Sequence, residues 1–247
     1  LTVVALYGNY MLIVMGVQTL MTAMFNSMNA GIGNLVAEGD KRKIMSVFAE
    51  LFSIRFLFSC IMCFGVLMIT PAFVSFWIGK KYVMDSLSLL LMTAILFVNL
   101  SRTTVDAYIN AYGLFGDIWA PIVEASLNVG LSIILGYYFG LHGVLSGVLI
   151  SLLLVVFCWK PYYLFRKGLD ERLSIYIFMY ARHLMAALLC GVIVCLGMRY
   201  SMVQGDTTFF DGLLGILVFS ILSTLTLLCV APGMRNLMRR FIRMCHV

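Results

Sequence analysis

Residues 44–69 read IMSVFAELFSIRFLFSCIMCFGVLMI, a run of 26 residues in which Glu50 and Arg55 are the only charges. A hydrocarbon core of roughly 30 Å takes about 20 apolar residues in a helix, so this run is long enough to cross a bilayer. It lacks the alternation over about 10 residues that marks the strands of an outer-membrane barrel. Apolar windows of the same kind recur at 3–33, 85–111, 119–139, 143–165, 174–198 and 211–231, which makes seven with the first. The predicted fold is all-α: a polytopic membrane bundle of seven transmembrane helices.

Punctuation between the windows agrees with this division. Glu38-Gly39-Asp40, Pro71, Gly79-Lys80-Lys81, Gly113 to Gly116, Gly140 to Gly143, Gly168 to Glu171, Gly205-Asp206 and Pro232-Gly233 fall at the breaks. The first helix is predicted to leave the membrane before Asn34, and Pro121 to kink the fourth near its start. The whole chain of 247 residues is 62% hydrophobic and 11% charged, too apolar for a water-soluble domain. No polar stretch exceeds about 15 residues, far too few for an independently folding catalytic unit. Residue 1 is Leu, and the apolar run that follows has neither a basic n-region nor a small-residue cleavage site. The expectation is therefore an N-terminal portion upstream of it.

Basic residues assign the sides. Lys41, Arg42, Lys43, Lys160, Arg166, Lys167, Arg172, Arg235, Arg239, Arg240 and Arg243 fall on one side, eleven in number, against Lys80, Lys81 and Arg199 on the other. An excess of Lys and Arg marks the cytoplasmic side, so residue 1 is expected outside and the C-terminus in the cytoplasm. Trp77, Trp119 and Trp159 lie at predicted span boundaries, where an indole ring meets both lipid and water. The net charge of +6 then reflects topology and contact with membrane lipids, and no nucleic-acid partner is expected. The seven cysteines, Cys60, Cys63, Cys158, Cys190, Cys195, Cys229 and Cys245, lie almost wholly in apolar runs, where they act as small hydrophobes. No disulfide is expected, and the Cys60-x-x-Cys63 pair, inside a span with no His cluster nearby, reads as packing.

Ionisable groups inside spans are the functional candidates, because each costs about 2.5–3.5 kcal/mol to insert near the bilayer centre. Arg55 lies about 16 Å into the second helix at 1.5 Å per residue, near the midplane. Glu50 points about 140° away from it, so at least one of them needs a partner elsewhere. Arg102 and Asp106 share a face of the third helix at i, i+4 and can pair. Glu124 sits near the cytoplasmic mouth of the fourth helix with Asn128 one turn deeper. Arg182 and His183 are roughly 12 Å in from the cytoplasmic end of the sixth, where Arg can still snorkel and His183 reads as a packing residue. Together with Asn9, Gln18, Asn26, Asn29, Asn99 and Asn110 these groups imply an internal aqueous cavity. Arg55, Arg102, Asp106, Glu124, Asn128 and Arg182 are thus the expected substrate pathway. The Gly143, Gly147 and Ser151 stripe reads as a helix-packing face. A phosphate-binding G-x-x-x-x-G-K-[ST] loop, an H-E-x-x-H pair and a Ser/His/Asp set are all lacking in the sequence, so neither an enzyme nor a cofactor is expected.

Tyr7-Gly8-Asn9-Tyr10 and Gly33-Asn34-Leu35-Val36-Ala37-Glu38-Gly39-Asp40-Lys41 begin a series of motifs. Phe76-Trp77-Ile78-Gly79-Lys80-Lys81-Tyr82, then Pro121-Ile122-Val123-Glu124-Ala125-Ser126-Leu127-Asn128, then Gly140-Leu141-His142-Gly143-Val144-Leu145-Ser146-Gly147 follow in order. In this order and spacing the chain resembles bacterial polysaccharide repeat-unit flippases of the Wzx type, in the multidrug/oligosaccharidyl-lipid/polysaccharide exporter superfamily. Ile78 stands where that family has Leu, and Val148 where it has Thr. The resemblance covers residues 1 to about 165 as the C-terminal lobe of a two-lobed transporter, with 166–247 as two further spans and a basic cytoplasmic tail. In the family the Tyr-Gly-Asn-Tyr segment opens the eighth span of about fourteen, which implies an N-terminal half of the same protein as partner.

The resemblance also implies a substrate, an oligosaccharide repeat unit on undecaprenyl diphosphate, flipped outward across the bacterial inner membrane for lipopolysaccharide or capsule synthesis. A polysaccharide polymerase and other export machinery are the protein partners it suggests. A cation-coupled multidrug or metabolite antiporter of the same superfamily remains the alternative. An antiporter depends on an acidic ion site, whereas three intramembrane arginines suit an anionic substrate.

Overall fold

The structure, a computed structural model, describes residues 2–202 and 209–245, and among them every regular element is helical. Six helical stretches are long and apolar enough to cross a membrane: Val4–Glu38, Lys41–Trp77, Ser86–Ala111, Phe115–Leu169, Leu173–Met198 and Asp211–Val230. The fourth spans 55 residues because two helices run together at Gly140, whose φ of 58° and ψ of −133° turn the chain back on itself. Divided there, the six stretches hold the seven predicted helices. The predicted break at Gly205-Asp206 lies outside the described residues.

Helix α1 (Thr2–Glu38) and helix α2 (Lys41–Trp77) are both 37 residues long, about 55 Å each at 1.5 Å per residue. Both outrun their apolar windows. The chain does not leave helical geometry at Asn34, and α2 begins earlier because Asp40 caps it, accepting from the amides of Arg42 and Lys43 at 3.0 and 3.2 Å. Nor does Pro71 end α2, which continues to Trp77; proline removes one backbone bond, and neighbouring helices support the chain around it. The expected kink at Pro121 is likewise not found. Pro121 is the third residue of α5 (Trp119–Leu152), where its missing N–H is an unpaired end group in any case, and the non-helical residue of α5 is Gly140.

The third predicted helix holds as one stretch, Ser86–Ala111; a single turn-like residue, Arg102, marks off α3 (Ser86–Ser101) from α4 (Thr103–Ala111), and the helical bonds run through it from the Arg102 amide to the Val98 carbonyl at 3.2 Å and from the Asp106 amide to the Arg102 carbonyl at 3.1 Å. Two hydroxyls turn back onto the chain on either side of it: Ser101 donates to the Val98 carbonyl at 3.2 Å and Thr103 to the Leu100 carbonyl at 2.8 Å. Beyond α5, π-helical turns at Leu153–Trp159 and Phe165–Leu169 flank the short α6 (Lys160–Leu164). Then follow α7 (Leu173–Met202), α8 (Phe209–Val230) and α9 (Pro232–Cys245).

The centre of the bundle is α2, which packs against α1, α3, α4, α7, α8 and α9. Phe48, Phe52 and Phe56, each no more than 1% exposed, form an aromatic column along one of its faces. Tyr108, Phe165, Tyr176, Tyr180 and His183 meet that column at ring distances of 5.1–5.9 Å. On the other face, Met21, Phe25, Cys63, Met92 and Leu96 pack α1, α2 and α3 together. The arms of α5 approach closely across Gly140. A Cβ at Gly143 would come within 1.9 Å of the Leu135 carbonyl, and one at Gly147 within 2.6 Å of the Ser132 nitrogen. That is the packing role expected of the small-residue stripe. Cys60, Cys63, Cys158, Cys190, Cys195 and Cys229 are free thiols.

Candidate functional site

Arg55 projects from the middle of α2 toward α1 and the start of α4, and it is only 2% exposed. Its Nη1 donates to the Thr103 carbonyl at 3.0 Å, and its Nη2 to the Asn29 side-chain oxygen at 3.0 Å and the Phe25 carbonyl at 3.5 Å. The guanidinium lies over the Phe25 ring, 5.3 Å from its centroid. Its Nε is buried without a partner. All its acceptors are therefore neutral dipoles and a ring face, and among the described residues no carboxylate forms an ion pair with it. A guanidinium held this way is hydrogen-bonded but not neutralised, which is the state that attracts an anion.

Beside it lies a cavity of about 200 Å³ whose polar lining comes from Thr22, Asn26 and Asn29 of α1, from Arg55, and from Thr103, Asp106 and Asn110. Amides and hydroxyls make most of the polar part of this wall, where each both donates and accepts, and Met21, Phe25, Leu100 and Ala107 make its apolar part. The asparagines of α1 fall at positions 26 and 29, one turn apart on one face. Thr22, Asn26, Asn29 and Asn110 are exposed, so the space is a half-open groove and not the enclosed internal cavity expected from the number of polar residues.

Asp106 belongs to this cavity and also to a second cluster. Arg102 Nε lies 3.4 Å from Asp106 Oδ2, the i, i+4 pair expected from the sequence, and Arg102 Nη1 lies 3.8 Å from Glu124 Oε1. Lys160 Nζ completes the group at 2.8 Å from Asp106 Oδ1. Two cations thus face two carboxylates across α4, α5 and the start of α6. The sequence reading counted Lys160 among the cytoplasmic basic residues, since its partner is 54 positions away and no local spacing signals the contact. The π-helical turn ending at Trp159 precedes Lys160 directly, and Trp159 is itself held by Asp117, which accepts from its indole N–H at 2.7 Å.

The remaining candidates lie elsewhere. Asn128 is half-buried on α5 and accepts from the Ser132 hydroxyl at 3.2 Å, within its own helix. It is not part of the cavity wall. Arg182 lines a separate cleft on the flank of α7 with Ala49, Phe178 and Gly233. Glu50, 3% exposed, meets Arg240 of α9 at 3.3 Å and accepts from Ser46 at 3.1 Å. Of the two charges in the decisive stretch, one is therefore neutralised and the other is not. His183 is fully buried, donating from Nδ1 to the Met179 carbonyl at 2.7 Å with its Nε2 3.0 Å from the Ser53 hydroxyl. That is the packing role expected of it.

Comparison with family models, with curated proteins and with solved structures finds no match. The chemistry of these residues therefore carries the functional reading.

Proposed function

We propose that the chain spans the bacterial inner membrane with its C-terminus in the cytoplasm and helps to move an anionic glycolipid headgroup outward. The substrate in this reading is an undecaprenyl-diphosphate-linked oligosaccharide, flipped by alternating access between this lobe and an N-terminal lobe. The observation that carries it is Arg55, a deeply buried cation without an ion-pair partner among the described residues, lining a half-open cavity. An anion entering that cavity gives up hydration but gains charge-assisted hydrogen bonds from a guanidinium that no carboxylate pairs with, the Asp106 carboxylate of the same wall being held by Arg102 and Lys160. Asn26, Asn29 and Asn110 offer the donors and acceptors that sugar hydroxyls require. A space of about 200 Å³ suits a phosphate-sized group, and the rest of a repeat unit needs room contributed by the opposing lobe.

An inside-negative potential favours outward movement of an anion by about 2.3 kcal/mol per charge per 100 mV, if the charge crosses the whole field. The antiporter reading rests on Asp106, the one acid in the cavity wall. Lys160 and Arg102 already hold that carboxylate, so a coupling cation would have to displace them, which favours the flippase.

The test is made in the intact protein. Arg55→Ala is expected to accumulate at the wild-type level and abolish export of surface polysaccharide, and Arg55→Lys to retain part of it, since a point charge keeps the attraction but not the paired hydrogen bonds. Normal polysaccharide with Arg55→Ala at full protein level would remove Arg55 from the pathway.

A further inference from the structure

The flank of α7 carries a second set of uncompensated cations, outside the central cavity. Arg182 of α7 and Arg235 of α9 lie close enough for their charges to repel, and neither meets a carboxylate among the described residues. Arg182 Nε is buried without a hydrogen-bond partner, and its guanidinium rests 5.9 Å from the centroid of the Phe178 ring. Arg182 lines a half-open cleft of about 510 Å³ between α2, α7 and α9, and Pro232 and Gly233, just ahead of Arg235 in the chain, line its α9 side. Bringing two guanidiniums together without an acid costs free energy, and an anion bridging them removes that cost.

The helix that supplies Arg235 is rigidly placed. Gly233 packs so closely on α2 that a Cβ there would come within 2.3 Å of the Ala49 carbonyl. About two turns further on, Arg240 is fixed to the buried Glu50 at 3.3 Å. These two attachments pin α9 to α2, so Arg235 is held beside the cleft before any ligand arrives. The remainder of α9 divides by face. Arg235, Arg239 and Arg243 follow at intervals of four, while Phe241 and Ile242 remain 60% and 48% exposed. A helix of this pattern lies along a membrane interface.

What runs away from the cleft identifies the ligand's other half. Phe178, Arg182, Met185, Leu189 and Leu196 share one face of α7, and its apolar members are 69%, 64%, 62% and 61% exposed in chain order. The cations therefore stand at the head of a continuous apolar track directed along the helix into the bundle's mid-zone. An acidic protein segment would satisfy the arginines and leave the track bare. An amphiphile with an anionic head satisfies both.

We propose that the cleft between α7 and α9 is a binding site for an anionic membrane phospholipid, its phosphate bridging Arg182 and Arg235 and an acyl chain lying along the exposed face of α7. The site is distinct from the Arg55 cavity and does not depend on what that cavity transports.

The test uses the intact protein purified in neutral detergent, with bound lipid counted by native mass spectrometry after addition of phosphatidylglycerol or phosphatidylcholine of matched acyl chains. Wild-type protein should retain phosphatidylglycerol in preference to phosphatidylcholine. Arg182→Gln/Arg235→Gln should weaken that retention about 30-fold, from two basic residues at a membrane surface. Arg239→Gln/Arg243→Gln, which removes equal charge away from the cleft, should weaken it far less. Arg182→Lys/Arg235→Lys serves if the glutamine variant fails to fold, and should keep the preference at reduced affinity. Equal losses in the two glutamine pairs would reduce the site to diffuse attraction and overturn the proposal. So would equal retention of the two lipids, and so would complete displacement of phosphatidylglycerol by millimolar inorganic phosphate, which would identify a free-anion site.

Discussion

The Arg55 cavity and the cluster of Arg102, Asp106, Glu124 and Lys160 share one residue, Asp106, and treat buried charge in opposite ways. In the cluster each cation has a carboxylate within 3.8 Å. In the cavity Arg55 has only carbonyls, an amide and a ring face. A balanced group gains nothing from a visiting ion, but its members depend on one another. An unbalanced group is supported by dipoles that do not cancel its charge, and a visiting anion completes it. The first arrangement is suited to holding α4, α5 and α6 together, the second to binding.

The sharpest way to break this comparison is to remove Asp106. Lys160 and Arg102 then lose their shared acid, and with side chains 18–29% exposed the expected loss is about 2–3 kcal/mol, below the roughly 3–5 kcal/mol of a fully buried pair. Asp106→Ala should lower the thermal midpoint in detergent, and Asp106→Ala/Lys160→Met should recover part of the loss. A double variant no more stable than the single would show that the carboxylate acts through the cavity and not through Lys160.

Arg55→Met sharpens the same comparison from the other side. It strands the acceptors at Phe25, Asn29 and Thr103 but also removes an uncompensated charge, and these effects oppose each other. The expected change in stability is about 1 kcal/mol or less, measured by the same thermal unfolding. A loss as large as that of Asp106→Ala would make Arg55 a structural member of the bundle.

Much of this arrangement was legible in the sequence. The helices follow from apolar runs, the Arg102 and Asp106 pair from a spacing of four, and the close approach of the α5 arms from Gly143 and Gly147. Residues that carried the resemblance also have evident packing duties: Tyr10 accepts from the Met84 amide at 3.0 Å, Glu124 joins the charge cluster, and Gly140 makes the turn. What stayed hidden depends on contacts between distant segments. The pairing of Lys160 with Asp106 and of Arg240 with Glu50 has no local signature, and both cations read equally well as cytoplasmic charge. The local loosening at Arg102 within the third helix has no hydropathy signal, because hydropathy does not register the Ser101 and Thr103 hydroxyls that bond back to the chain. Helix ends were misplaced for a related reason, since capping by Asp40 extends α2 into polar sequence where no apolar window reaches.

The smallest expected effect concerns the far end of the bundle, where charge is balanced as in the cluster but exposed. Asp85 caps α3 by accepting from the Ser88 amide at 3.0 Å and faces His142 Nε2 at 2.8 Å, the two side chains being 53% and 42% exposed. Slight burial raises its carboxyl pKa, but the bonds to His142 and Ser88 outweigh that and hold it at about 2. Because the folded value lies below the unfolded one near 3.9, the contribution is fully present above the unfolded value and is lost as pH falls through the folded one. Asp85→Ala should therefore cost about 0.5 kcal/mol at neutral pH, the low end for a cap because solvent screens it, and the difference from wild type should hold down to about pH 4 and shrink toward pH 2. An absent difference at neutral pH would show that water replaces both bonds at this surface.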